Sequence, residues 1–128
     1  MSNQNIQIGI DLGTTNSEVA ANNKGHVDVV KNIFNDEYTP SVFGVDKAKH
    51  NKIGKRAYER LYKDSPDEEF SHNNAEVKRL MGTVDTVHFD RLDQDMSPEE
   101  ISGEILKSLK EDVLRKYPGT PTTGVVVT

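Results

Sequence analysis

Within ten residues this chain passes from an alternating apolar strand into a turn crowded with oxygen donors, and no other stretch constrains its fold so tightly. Ile6, Ile8 and Ile10 alternate with Gln7 and Gly9, the two-residue period of a pleated strand with one apolar face. At Asp11 the chemistry changes: a carboxylate stands at the strand end, followed closely by Gly13 and the adjacent hydroxyls of Thr14 and Thr15. Gly13 has no Cβ to obstruct a tight turn or a close backbone approach. Thr14 and Thr15 offer hydroxyls and main-chain N–H groups to anionic oxygens, and Asp11 can hold a hydrated divalent cation. A bare Asp-x-Gly-Thr is more often a hairpin turn whose polar residues satisfy their own backbone. Ten residues in register, Ile8 to Ser17, are harder to set aside.

Composition narrows the class. The length of 128 residues is that of one ordinary domain or a piece of a larger one, and 34% apolar residues allow a core without making it generous. Twenty-one acidic against 16 basic side chains give a formal charge of −5, and the lysines and arginines are scattered. No basic block suits nucleic acid or an anionic membrane surface. The absence of cysteine excludes a disulfide framework and fits a reducing compartment. The start, Met1 to Gln7, lacks the charge and apolar run of a signal peptide, and no apolar stretch is long enough to cross a membrane. A soluble, cytoplasmic chain is the expectation.

After the turn, Ser17 to Ala21 and then Val27 to Val30 read as two further strands, joined by a hairpin connection at Asn22-Asn23-Lys24-Gly25. An antiparallel meander with the phosphate-type turn at its first corner follows. Val42 to Val45 reads as a short edge strand behind Pro40, and Asp46 to Lys52 as a charged loop. Gly54 to Lys63 has helical spacing, with Ala57, Tyr58, Leu61 and Tyr62 on one side, stopped by Pro66. Ala75 to Gly82 reads as a short helix with Gly82 as a left-handed cap, and Thr83 to Met96 as loop. The clearest helix is Ser97 to Tyr117. Ser97 and Glu100 form a capping box, Pro98 takes the first helical position, and Ile101, Ile105, Leu109, Val113 and Tyr117 form a stripe. Gly124 to Thr128 reads as a parallel strand buried on both faces. The fold class is α/β: a mixed, ribonuclease-H-like sheet with antiparallel N-terminal strands, one long helix and a parallel strand. Residues from about Thr39 to Met96 form an insert, and a further helix and strand are expected beyond Thr128.

The run Ile8 to Ser17, IGIDLGTTNS, resembles the first phosphate loop of the DnaK-type chaperones, the seventy-kilodalton heat-shock protein family. Actin-like proteins and sugar kinases share the looser Asp-x-Gly-Thr pattern, and no Walker-type Gly-x-x-x-x-Gly-Lys occurs. Other pieces resemble the same family in the same order: Thr39-Pro40-Ser41-Val42, Ile53 to Ala57, Val77-Lys78-Arg79-Leu80-Met81-Gly82, the long helix from Ser97, and Val125 to Thr128. The connection from Gly82 to the long helix is as short as in the HscC branch, which leaves use of a nucleotide-exchange factor open.

The resemblance implies an actin-like ATPase lobe, with residues 1–128 the N-terminal part of the nucleotide-binding domain of an ATP-dependent folding chaperone. It implies ATP/ADP and Mg²⁺ as cofactors. Asp11 would contact the metal through water, and Gly13, Thr14, Thr15 and Asn16 would hold the phosphates. Lys78 would be the catalytic group, positioning the attacking water or stabilising developing charge; outside that resemblance a helix lysine is a solvated one. Unfolded clients and a J-domain co-chaperone are the implied partners, reached through the complete protein. The chain alone is expected to be inactive and prone to self-association. Two alternatives stay open: another actin-like ATPase, such as a sugar kinase or filament protein, or a non-catalytic interaction fragment.

Overall fold

The computed structural model describes residues 6–46, 48–63, 73–75, 82, 86–89 and 92–128, with only the backbone described for 60–63, 73–75 and 123. Strand β1 (Ile6–Leu12) alternates as its sequence does: Ile6, Ile8, Ile10 and Leu12 are buried, while Gln7, Gly9 and Asp11 face out. β2 (Asn16–Asn23) runs back antiparallel to it and β3 (His26–Val29) returns along β2, so the expected meander is present. β10 (Thr122–Val127) lies parallel to β1 on its other side, giving the order β10-β1-β2-β3. A two-residue strand, β4 (Thr39–Pro40), pairs with Asn16 and Ser17 at the start of β2.

Helix α2 (Pro98–Lys116) packs across β1 and β2 and buries Ile101, Ile105, Leu109 and Val113 against the strand isoleucines and Val19. Each such side chain contributes about 1.5–3 kcal/mol of transfer free energy. The capping box forms as the sequence implies: the Glu100 N–H donates to Ser97 Oγ at 3.1 Å, and the Ser97 N–H reaches Glu100 Oε1 at 3.5 Å. Leu106 and Tyr117 flank the core and Leu114 remains exposed, so the buried stripe is narrower than the apolar pattern.

Several expectations are corrected. Val42–Val45 (β5) is not an edge strand but the centre of a separate three-stranded sheet, between β6 (Asn51–Ile53) and β7 (Asn73–Ala75), and all four of its residues are buried. Pro40 is spent in β4, so nothing in Val42–Val45 prevents pairing on both sides. Ala75 ends β7 instead of starting a helix; Glu76 to Met81 lie outside the described residues, while Gly82 is left-handed at φ 82°. The stretch expected to be loop, Thr83 to Met96, holds a hairpin, β8 (Val87–Phe89) and β9 (Gln94–Met96). Its three-residue strands are too short to show a period. Its anchor is Phe89, fully buried edge-on to Phe43 with ring centres 5.2 Å apart. In α1 (Lys55–Lys63) Ala57 is buried but Tyr58 is exposed, so the two do not share a buried face.

The largest correction concerns β10. Val125, Val126 and Val127 are 48%, 67% and 46% exposed, not buried on both faces. β10 is the terminal strand of its sheet, and the apolar stripe of α2 is used on β1 and β2.

Candidate functional site

The turn Gly13-Thr14-Thr15 joins β1 to β2. Pairing through Leu12↔Ser17 brings Gly13 so close to Asn16 that a β-carbon at position 13 would run into the Asn16 carbonyl oxygen. Main-chain contact of this kind admits only glycine. The carboxyl end of β10 arrives at the same place: the Leu12 N–H donates to the Thr128 carbonyl at 3.0 Å, and the Thr128 N–H to that of Ile10 at 2.9 Å. The turn therefore sits outside the carboxyl ends of two parallel strands, the position where open α/β sheets bind ligands.

Four of the sequence-derived residues, Gly13, Thr14, Thr15 and Asn16, form this turn, and Asp11 stands one residue before the strand end with its side chain exposed. Among the described residues, no hydrogen bond or ion pair is made by the Asp11 carboxylate, by the hydroxyls of Thr14 and Thr15, or by the N–H groups of those two threonines. A hairpin turn that satisfied its own backbone would not leave them free. Unspent N–H and hydroxyl donors beside a carboxylate are a donor set that fits a polyphosphate with a hydrated divalent cation. Lys78 and Arg79 lie outside the described residues.

Two features escaped the sequence reading. Glu18 stands directly opposite Asp11 in the β1–β2 register, on the outward face. Like charges at directly opposed positions repel, so a cation at this end of the sheet would be favoured. Counting back from the turn gives the pair, once the Leu12↔Ser17 register is known.

The second feature is Ser41. Its N–H donates to the Thr15 carbonyl at 2.9 Å, and its Oγ–H donates to the Gly13 carbonyl at 2.8 Å. Ser17 Oγ lies 2.7 Å from Ser41 Oγ, and both serines are buried. Thr39-Pro40-Ser41 carried only a resemblance in the sequence; its contact with the turn depends on β4 crossing to β2.

Several titratable groups elsewhere have structural partners. Glu99, in the first turn of α2, accepts from the Gly82 N–H at 3.1 Å, which holds its carboxyl below the usual range. His26 contacts Asp28 at 3.2 Å, His50 contacts Asp46 at 3.7 Å, and His88 contacts Asp95 at 2.6 Å. Among the described residues no cluster of three or more His, Cys, Asp or Glu side chains has metal-holding geometry. No described helix is long and apolar enough to cross a membrane.

The mixed sheet, with an open turn at the carboxyl ends of parallel strands, is consistent with part of a lobe of the actin-like class. Comparison with known proteins gives the family: the model described as Hsp70 protein matches residues 7–128. The chain is 39% identical over 121 residues to the chaperone protein DnaK of Metamycoplasma hominis, covering 94% of this chain and 19% of that protein. It is 33% identical over 138 residues to the chaperone protein dnaK3 of Thermosynechococcus vestitus, covering 94% and 20%. To the dnaK3 of Synechococcus elongatus it is 34% identical over 143 residues, covering 94% and 18%. This chain belongs to the Hsp70 family, and it spans about a fifth of the length of the curated relatives it matches.

Proposed function

We propose that this chain is the N-terminal, nucleotide-binding segment of an ATP-dependent folding chaperone, and that its first turn binds the phosphates of Mg·ATP. The observation that carries the reading is the pair of threonines, Thr14 and Thr15, whose N–H and hydroxyl groups have no partner among the described residues. With Asn16 they hold the β- and γ-phosphates, and Gly13 lets the backbone approach them. Asp11 contacts the metal through water, and Glu18 opposite it adds to the local negative charge. Magnesium bound there neutralises phosphate charge, the main electrostatic need of phosphoryl transfer.

Lys78 is the proposed catalytic residue, on the strength of its place in the Val77-to-Gly82 segment. Residues from about 39 to 96 are proposed as an inserted subdomain. Unfolded clients and a J-domain co-chaperone are the proposed partners of the full-length protein, in the cytoplasm. Hydrolysis needs groups preorganised from both sides of a cleft, so the 128 residues alone turn over ATP at background rate.

Single-turnover hydrolysis by the full-length protein tests the reading. Lys78→Ala should keep nucleotide affinity and slow hydrolysis about a hundredfold or more, because a group acting in the transition state contributes to rate and not to ground-state binding. A rate within about threefold of the parent's contradicts the assignment, since positioned catalytic groups contribute far more.

A further inference from the structure

We propose that Ser41 is the positioning residue of the phosphate turn: it fixes the orientation of two peptide planes so that their N–H groups face a bound anion. The inference rests on the phosphate-site reading above and extends it to a side chain that touches no phosphate.

The geometry follows from counting protons. A serine hydroxyl carries one hydrogen, and that of Ser41 is committed to the Gly13 carbonyl at 2.8 Å. The 2.7 Å contact between Ser17 Oγ and Ser41 Oγ must then be donated by Ser17. The result is a directed relay, Ser17 O–H to Ser41 O–H to Gly13 C=O, each donor polarising the next. Ser17 is 0% and Ser41 3% exposed, so water does not compete for either hydroxyl.

Ser41 holds two carbonyls of the turn at once, that of Gly13 through its hydroxyl and that of Thr15 through its N–H at 2.9 Å. The peptide unit is planar, and no peptide here is cis. In a trans unit the N–H points opposite to the C=O. Tying down the Gly13 carbonyl therefore turns the Thr14 N–H away from Ser41, and tying down the Thr15 carbonyl does the same for the Asn16 N–H. The unpartnered Thr14 N–H and the Asn16 N–H at the start of β2 are thereby both turned away from Ser41 before any ligand arrives. Without the Ser41 hydroxyl, the Gly13–Thr14 peptide loses its anchor, and part of the ligand's binding energy goes into orienting it.

A merely structural role for these serines predicts something different, and the two variants taken together separate the cases. Ser41→Ala leaves the buried Ser17 hydroxyl without an acceptor, which lowers stability whatever the turn does. The Ser17→Ala/Ser41→Ala double variant removes that stranded donor but still leaves the Gly13 carbonyl untied.

The test is calorimetric titration of Mg·ATP into the full-length protein, with the unfolding midpoint measured on the same preparations. Ser41→Ala is expected to weaken affinity about fivefold to tenfold, the loss of one ordinary hydrogen bond in the ligand-ready turn, and Ser17→Ala less than about twofold. The double variant should keep the affinity loss of Ser41→Ala while regaining part of the midpoint. Affinity that recovers with the midpoint, or Ser41→Ala binding within about twofold of the parent, overturns the proposal. A parent that binds no Mg·ATP overturns the phosphate-site reading and this inference with it. Loss of affinity in Thr14→Ala but none in Ser41→Ala overturns this inference alone.

Discussion

Gly54 and Thr39 meet so closely that a β-carbon at position 54 would lie 2.7 Å from the Thr39 γ-methyl group. Gly54 also sits in the left-handed region at φ 75°, and its N–H donates to the Val42 carbonyl at 2.9 Å. It thus joins the start of α1 to β4, the strand that pairs with the start of β2. Gly54→Ala should destabilise the chain by about 1–3 kcal/mol, combining left-handed strain with the clash. Thr39→Ser removes the methyl and keeps the hydroxyl that accepts from Asn32 Nδ2 at 3.1 Å. In urea unfolding, Gly54→Ala/Thr39→Ser should recover part of the loss, because the clash goes and the strain stays. No recovery would locate the whole cost in the backbone.

Asp46 gives the acid side of the stability profile. Its carboxylate accepts from the His50 N–H at 2.8 Å, with Lys52 Nζ at 3.6 Å and the His50 ring at 3.7 Å. The His50 N–H above all, with the nearby His50 ring and Lys52 ammonium, holds its pKa below the ordinary carboxylate value. A folded-state pKa below the unfolded one means stability that is present above the unfolded carboxylate range and lost as pH falls through the folded pKa. Asp46→Asn should therefore be less stable than the parent at neutral pH, with the gap closing on acidification. Thermal unfolding over that range decides it; a gap independent of pH would contradict the account.

Asp112 runs the other way. It is buried on α2, and burial raises its pKa although Arg115 Nη1 lies 2.9 Å from Oδ1 and pulls it down. With the folded pKa above the unfolded one, stability is fully present below the unfolded value and is lost as pH rises through the folded value. Asp112→Asn, which removes the charge, should gain on the parent as pH rises from the acid range toward neutrality. The same unfolding series measures it, and a gap that moves in favour of the parent would refute the burial argument.

These opposed carboxylates show what the sequence could and could not carry. The β1 alternation, the Ser97–Glu100 box and the α2 stripe are local patterns, set by strand period, cap chemistry and helical period, and they appear where expected. The residues of the turn were legible for the same reason: Asp11 to Asn16 is contiguous. Ser41 and Glu18 were not, because their places beside the turn depend on register and on β4 crossing to β2. The β8–β9 hairpin was missed because three-residue strands have no period to read, and Phe89 declares itself only through Phe43. The burial of β10 was overestimated because a run of valines records a preference for strand, whereas cover is decided by where α2 lies.

The exposed edge at β10 carries its own prediction. Among the described residues Val126 is 67% exposed on a strand paired only to β1, and an apolar unpaired edge is a template for another chain. Light scattering on the 128-residue chain should show mass rising with concentration. Val126→Lys should suppress the rise, since an edge charge blocks strand-to-strand pairing. A monomer at every concentration would contradict it.

The leading proposal is that the open Thr14–Thr15 turn takes the phosphates of Mg·ATP. Its most direct test is calorimetric titration of Mg·ATP into the full-length protein and into its Thr14→Ala/Thr15→Ala variant, with and without magnesium. Saturable, magnesium-dependent binding is expected of the parent, with a loss of about tenfold or more in the variant, the worth of two hydroxyl contacts to charged oxygens. Equal affinity in parent and variant, or parent binding indifferent to magnesium, would contradict it.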